Sequence, residues 1–337
     1  MKITTPVSSV EEVEMLLANG ADELYCGVNT QQWAESLGAR CWMNRRDPSS
    51  ANLQSESDLV ALVKQAHDND VPVYITLNAP FYPGESLDYV VALAEKLAFD
   101  LSVDALIVSD VNLLIRLYRK ALPVNLHLSS LGSCFNSHTV DFYRQLGVSR
   151  IILPRQLKLS EIRHLVTGSA PDMVFEVFAL NDGCVYEEGF CQTTHTMGPF
   201  CMTDWHPVPF RKDSDQSRIF AVDLATQVKN LHRYGWYQNN CGSSYQKDGL
   251  PNGPCSLCWF GHFRDWGVHA VKIVGREASF YRKMRSLQMV RAVVDEAHKG
   301  ADTAAIQSLA RSIRATPAYC QQGYMCYFRD ETILESA

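Results

Sequence analysis

The chain has 337 residues, of which 46% are hydrophobic and 20% charged, with a formal net charge of −6. This composition excludes a largely disordered chain, and the acidic balance argues against broad non-specific nucleic-acid binding. No apolar run approaches the roughly 18 residues of a membrane span. The start "MKITTPVSSVEEVEML" has no signal-peptide core, so the sequence reads as cytoplasmic.

Taken in chain order, short apolar runs alternate with helical patterns. "KITTPV" (2–7) reads as a first strand, followed by a helix opened by a Ser9-x-x-Glu12 capping box and stopped at Gly20. Further strands are expected at 23–28, 71–78, 104–110, 124–130, 149–155 and 173–180, each but the first followed by a helical pattern or a long loop. An eighth, "HAVKIVGRE" (269–277), comes after a long interruption. Eight nearly continuous apolar runs separated mostly by helices predict an α/β fold, a (β/α)8 TIM-like barrel spanning 1–280. No G-x-G-x-x-G follows the first strand, which disfavours a doubly wound sheet. Residues 281–337 are expected to form a C-terminal helix and tail beyond the barrel.

Barrel active sites form in the loops after the strands. The longest such loop, 181–268, carries six of the eleven cysteines: Cys184, Cys191, Cys201, Cys241, Cys255 and Cys258. Cys320 and Cys326 follow in the tail. In a reducing compartment clustered thiols point to soft metals rather than to a disulfide framework. Only "CSLC" (255–258) has the short spacing of a zinc knuckle. Irregular spacing suits an iron–sulfur cluster held by separate loops better, while buried cysteine as a small apolar side chain is the bland alternative.

Several charged residues fall on or beside expected strands. Arg155 and Arg276 stand at strand ends, where a guanidinium can clamp a carboxylate or close the barrel top as an ion pair. Lys272 lies within the eighth strand, and its natural partner is Glu176 on the seventh. His127 and Ser129 share one face of the fifth.

These motifs carry a resemblance. "EVFALNDGCVYEEGFC" is similar to the signature of the collagenase-like peptidase family U32, with Glu176, Phe178, Cys184 and Cys191 matching. "CWFGHFRDWGVHAVKIVGRE" resembles a later stretch of that family through Cys258, Gly267, Val268, Lys272, Ile273, Gly275 and Arg276. "ADELYCGV", "VYITLN", "DALIVSD", "LHLSS" and "GVSRIILPR" resemble its barrel strands in order. The chain departs from the family at Leu180-Asn181, where His-Gly is usual, and at Gln156, where an acidic residue is usual.

The resemblance implies an oxygen-independent hydroxylase with a 4Fe–4S cluster, acting on a ubiquinone precursor or an RNA pyrimidine, with prephenate as the source of the hydroxyl group. It implies Cys184, Cys191, Cys201 and Cys258 as ligands, with Cys241 and Cys255 as reserves for the third. Glu176, Lys272 and His127 then become catalytic candidates, and Arg155 and Arg276 substrate-binding ones. Small molecules are favoured over RNA on charge. The resemblance also implies, as an alternative, a heterodimer with a related chain in which this chain is a non-catalytic, cluster-bearing subunit. A peptidase remains an alternative with a Cys–His195 pair, although no G-x-S-x-G or H-E-x-x-H is present.

Overall fold

A computed structural model describes residues 1–38, 42–181, 225–226, 228–229, 253–321, 323, 326–329 and 331. Cys184, Cys191, Cys201, Cys241 and His195 therefore lie outside the described residues.

The eight expected strands are present as β1 (Lys2–Pro6), β2 (Glu23–Cys26), β3 (Val73–Leu77), β4 (Ala105–Val108), β5 (Asn125–Leu128), β6 (Val148–Ile152), β7 (Val174–Leu180) and β8 (Ala270–Ile273). They pair in parallel in sequence order, and β1 closes on β8 through Lys2↔Ala270, Ile3↔Val271 and Thr4↔Lys272. The fold is a closed (β/α)8 barrel. Apart from β7, which keeps its run to Leu180, the strands end before their apolar runs do because the last residues turn out of the ladder into the βα loops.

The helices are α1 (Val13–Ala18), α2 (Gln31–Ser36), α3 (Glu56–His67), α4 (Glu85–Phe99), α5 (Val111–Lys120), α6 (Ser137–Gln145), α7 (Leu159–Gly168), α8 (Phe260–Trp266), α9 (Phe280–His298), α10 (Thr303–Arg314) and α11 (Pro317–Gln321). Local chemistry sets many starts. Asp110 caps α5 by accepting from the Asn112 and Leu113 amides, and Asn136 caps α6 by accepting from the Thr139 amide. The box expected at Ser9 does not form. The Glu12 carboxylate instead accepts from the Ser8 amide at 2.9 Å and pairs with buried Lys283 at 2.9 Å, because a buried ammonium is a stronger partner than a backbone amide.

The main core lies between strands and helices, built from residues such as Ile3, Leu24, Ile75, Leu106, Phe175 and Val271. Alternate strand positions point into the barrel, where Tyr25, Tyr74, Ala105, Ile107, Ile152 and Phe178 form a second, smaller cluster. Helix α9 packs on β1 and β7 and against α1 and α8. It takes the place of the eighth barrel helix, so the helical layer continues past residue 280.

Candidate active site

The barrel interior holds charge as well as rings. Arg150 on β6 makes a two-pronged pair with Glu23 on β2, at 2.6 and 2.9 Å, and reaches Glu176 on β7 at 3.1 Å. Glu176 also receives the Lys272 ammonium at 2.8 Å, the partnership expected from sequence. Thr4 donates to Glu23 at 2.7 Å. All four charged side chains are buried. Burial alone would raise the Glu176 pKa, but Lys272 and Arg150 outweigh it and hold the carboxyl below its ordinary range. Glu23 is held low by Arg150 against the same burial. Burial lowers the Lys272 pKa, with Glu176 opposing. Lys272 Nζ also sits 3.7 Å from the centre of the Tyr25 ring, whose hydroxyl donates to the Ile273 carbonyl at 3.0 Å.

His127 packs edge-on against Tyr74 at 4.8 Å, and its Nδ1 finds no hydrogen-bond partner. Burial, with Arg150 nearby, pushes its pKa well below the usual histidine value, so the ring is neutral. It lies among the interior side chains and not on the cavity wall.

At the carboxyl ends of the strands a cavity of about 70 Å³ opens, lined in part by Tyr25, Thr76, Arg155, Phe178, Lys272 and Arg276, with Arg45 and Arg46 at its edge. Arg155 and Arg276 stand in the loops after β6 and β8 rather than within those strands. Arg276 is buried, and its guanidinium donates to Thr76 Oγ1 at 2.9 Å, Asn44 Oδ1 at 3.0 Å and Asn52 Oδ1 at 3.2 Å. All three acceptors are neutral. Burial lowers its pKa to about 10. Gly275, at φ +104°, permits the turn that carries Arg276 inward. Gly27 lies under the same guanidinium, where a Cβ would overlap Asn52 and crowd Arg276 and Asn44. The Arg155 guanidinium lies over the Phe178 ring at 4.3 Å.

The segment after the long loop returns to this rim. Cys255 bridges to Leu180, Ser256 donates to the Phe178 carbonyl at 2.6 Å, and the Asn181 amide donates to the Pro254 carbonyl at 2.9 Å. Cys258 follows in a single turn, Leu257–Trp259.

Residues 8–334 match the description "Peptidase family U32". The chain belongs to peptidase family U32. A tRNA hydroxylation protein P of Escherichia coli (strain K12) is 25% identical over 340 residues, covering 91% of this chain and 71% of that protein. A 23S rRNA 5-hydroxycytidine synthase of the same organism is also 25% identical, covering 88% of this chain but 40% of its own length. The solved U32 peptidase Mk0906 overlays 64% of this chain and 83% of its own at a TM-score of 0.45 and 12% identity.

Within this U32 chain, the structure brings together Arg155, Arg276 and Lys272 at one cavity, with Glu176 directly beneath. Sequence reasoning missed Glu23, Arg150, Arg45, Arg46 and the Asn44–Asn52–Thr76 cradle. A charge inside an apolar strand run was the available signal for Glu23 in "ELYC" and Arg150 in "SRIIL", as it was for Lys272. The cradle had none, since Asn44 and Asn52 come from the β2–β3 connection.

Proposed function

We propose that this chain is an oxygen-independent hydroxylase of an RNA pyrimidine base, using an anionic donor such as prephenate held at the arginine-lined mouth. One observation carries the donor assignment: Arg276 is a buried guanidinium satisfied by neutral acceptors alone. A buried cation surrounded by dipoles is costly unless an anion completes it. Arg276 and Arg155 both line the cavity, and two guanidinium groups suit two carboxylates on one small molecule. The two Escherichia coli relatives, named for tRNA and rRNA hydroxylation, shift the acceptor from the small aromatic that the acidic balance favoured towards RNA. Arg45 and Arg46, the latter paired with Glu277 at 3.6 Å, put basic side chains at the mouth despite the net charge of −6.

A 4Fe–4S cluster would be held by Cys184, Cys191 and Cys201, with Cys258 as the fourth ligand expected from sequence, and would supply one-electron chemistry. Their thiolate chemistry suits such a group, and Cys258, the described member, lies in the turn Leu257–Trp259, three residues after the Cys255 that bridges to Leu180 at the end of β7. Lys272 projects to the cavity floor and can donate a hydrogen bond or a proton from Nζ to a donor oxygen. Glu176 holds that ammonium in place and remains charged while doing so. Arg155, laid on Phe178, fixes the orientation of the carboxylate it receives.

The test is mass spectrometry of nucleosides from tRNA and rRNA of a deletion strain grown without oxygen. Loss of one hydroxylated pyrimidine, restored by the wild-type gene and not by Arg276→Gln, is the expected result. An unchanged nucleoside profile contradicts the reading.

A further inference from the structure

The cavity at the mouth is lined unevenly. The cations Arg155, Lys272 and Arg276 come from β8 and from the loops after β6 and β8. Strands β3 to β5 and the loops after them contribute Asn78, Ile107, Ser129 and Leu131, all neutral. β4, which carries Ile107, lies four strands from β8 whichever way the closed barrel is counted.

Two of the neutral side chains are committed as donors. The Arg45 amide donates to Asn78 Oδ1 at 3.4 Å, which turns Asn78 Nδ2 towards Ser129, and Nδ2 donates to Ser129 Oγ at 3.1 Å. Ser129 Oγ accepts a second time, from the Leu131 amide at 3.4 Å. A hydroxyl has two lone pairs and one proton, so only the proton is left to bond. Among the described residues Ser129 Oγ makes no further hydrogen bond, and its O–H is left to donate into the cavity that Ser129 lines. The same count leaves Asn78 one Nδ2 proton. Ser129 cannot easily turn away: it is buried, its amide donates to the Val108 carbonyl at 2.8 Å, and its carbonyl accepts from the Gly132 amide at 2.8 Å.

Two donors 3.1 Å apart, with no acceptor between them, suit two neighbouring acceptors. Cytosine presents such a pair on its pairing edge, O2 beside N3. Uracil sets N3–H between O2 and O4, so one donor would meet another donor, and an unpaired buried donor is costly. Ile107 and Leu131 add apolar surface for the ring. A base held by O2 and N3 turns its C5–C6 edge away from Asn78 and Ser129, and those two carbons carry the ring hydrogens that a hydroxyl can replace.

We propose that Asn78 and Ser129 are the base-reading pair of this site and select cytosine over uracil. The inference rests on the RNA-hydroxylase reading above and adds to it the base and the two residues that read it. The anion and the base then bind to different walls of one cavity, the anion on the guanidinium groups and the base on the amide and the hydroxyl.

The test is anaerobic calorimetric titration of two short single-stranded oligoribonucleotides into the full chain, identical but for a central cytidine or uridine among adenosines. Wild type should bind the cytidine strand about tenfold more tightly, the low end of what a two-bond base contact discriminates. Ser129→Ala should lose that preference, while its affinity for prephenate stays within about twofold because the cations are untouched. Asn78→Asp keeps an oxygen for the Arg45 amide but replaces the free donor by an acceptor, and should reverse the preference towards uridine. A merely structural role for Asn78 would not produce that reversal. A folded Ser129→Ala with the wild-type preference, or a wild type that prefers uridine or neither base, overturns this inference and leaves the RNA reading standing. Where Ser129→Ala fails to fold, Asn78→Asp decides, and a retained cytidine preference overturns the inference. Binding of neither strand by wild type overturns both readings together.

Discussion

The interior of the barrel and its mouth are both rich in cations, yet they treat them oppositely. Inside, Arg150 and Lys272 are matched by Glu23 and Glu176 at 2.6–3.1 Å. At the mouth, Arg276 is held by two asparagines and a threonine. A fully paired network specifies a structure and stays as it is, whereas a buried guanidinium among neutral dipoles is complete only with an anion. Charge pairing, more than charge itself, separates scaffold from site.

The comparison can be broken most forcefully at Arg150. Arg150→Met leaves Glu23 with the Thr4 hydroxyl and no cation nearer than 3.9 Å, and Glu176 with Lys272 as its one close cation, and should cost about 3–5 kcal/mol in a denaturant titration. A loss under about 1 kcal/mol, at the scale of an exposed pair, would show that the interior network is not the scaffold. Gly27→Ala should disturb the mouth instead. The new Cβ displaces Arg276 and Asn52, so binding of a dicarboxylate should fall at least about tenfold, the loss expected for one good charge-assisted bond. Arg276→Met should cost a modest 1–2 kcal/mol or so, because only bonds to neutral acceptors are lost, while abolishing the hydroxylated nucleoside. Equal destabilisation by Arg150→Met and Arg276→Met would erase the distinction drawn between the two regions.

A smaller effect should appear in the pH dependence of stability. The folded His127 pKa lies well below that of an unfolded histidine, about 6.5. The unfolded chain therefore binds the proton first as pH falls. Stability is full above about pH 6.5 and declines below it, by up to about 1.4 kcal/mol per pH unit for one such group. His127→Phe should flatten that slope, leaving the part owed to His269 and His298, whose pKa values are also lowered by burial. Glu23 and Glu176, held below their usual 4.5, should extend the decline at lower pH. An unchanged slope in His127→Phe would mean the imidazole is solvated. The smallest effect is expected at Arg155→Ala, where loss of the contact with Phe178 should cost about 0.5–1 kcal/mol.

Much of this was legible in the sequence because β-strand burial in a parallel barrel writes itself as apolar runs. All eight runs became strands, and Lys272, alone in such a run, pointed to Glu176. Arg150 and Glu23 obey the same logic but stand at the polar start of their runs, beside Ser149 and Asp22, where a charge reads as a strand end. The Arg276 cradle was hidden for another reason: Asn44, Asn52 and Thr76 are far apart in sequence, and no local pattern couples them. The capping box at Ser9 failed because Lys283, some 270 residues away, competes for Glu12.

The most direct test of the central claim is calorimetric titration of prephenate into wild-type protein and into Arg276→Gln under anaerobic conditions. The account predicts saturable binding to wild type and affinity at least about tenfold weaker in a variant that unfolds at nearly the same denaturant concentration. Equal affinity in the two proteins, or no binding to either, would contradict it.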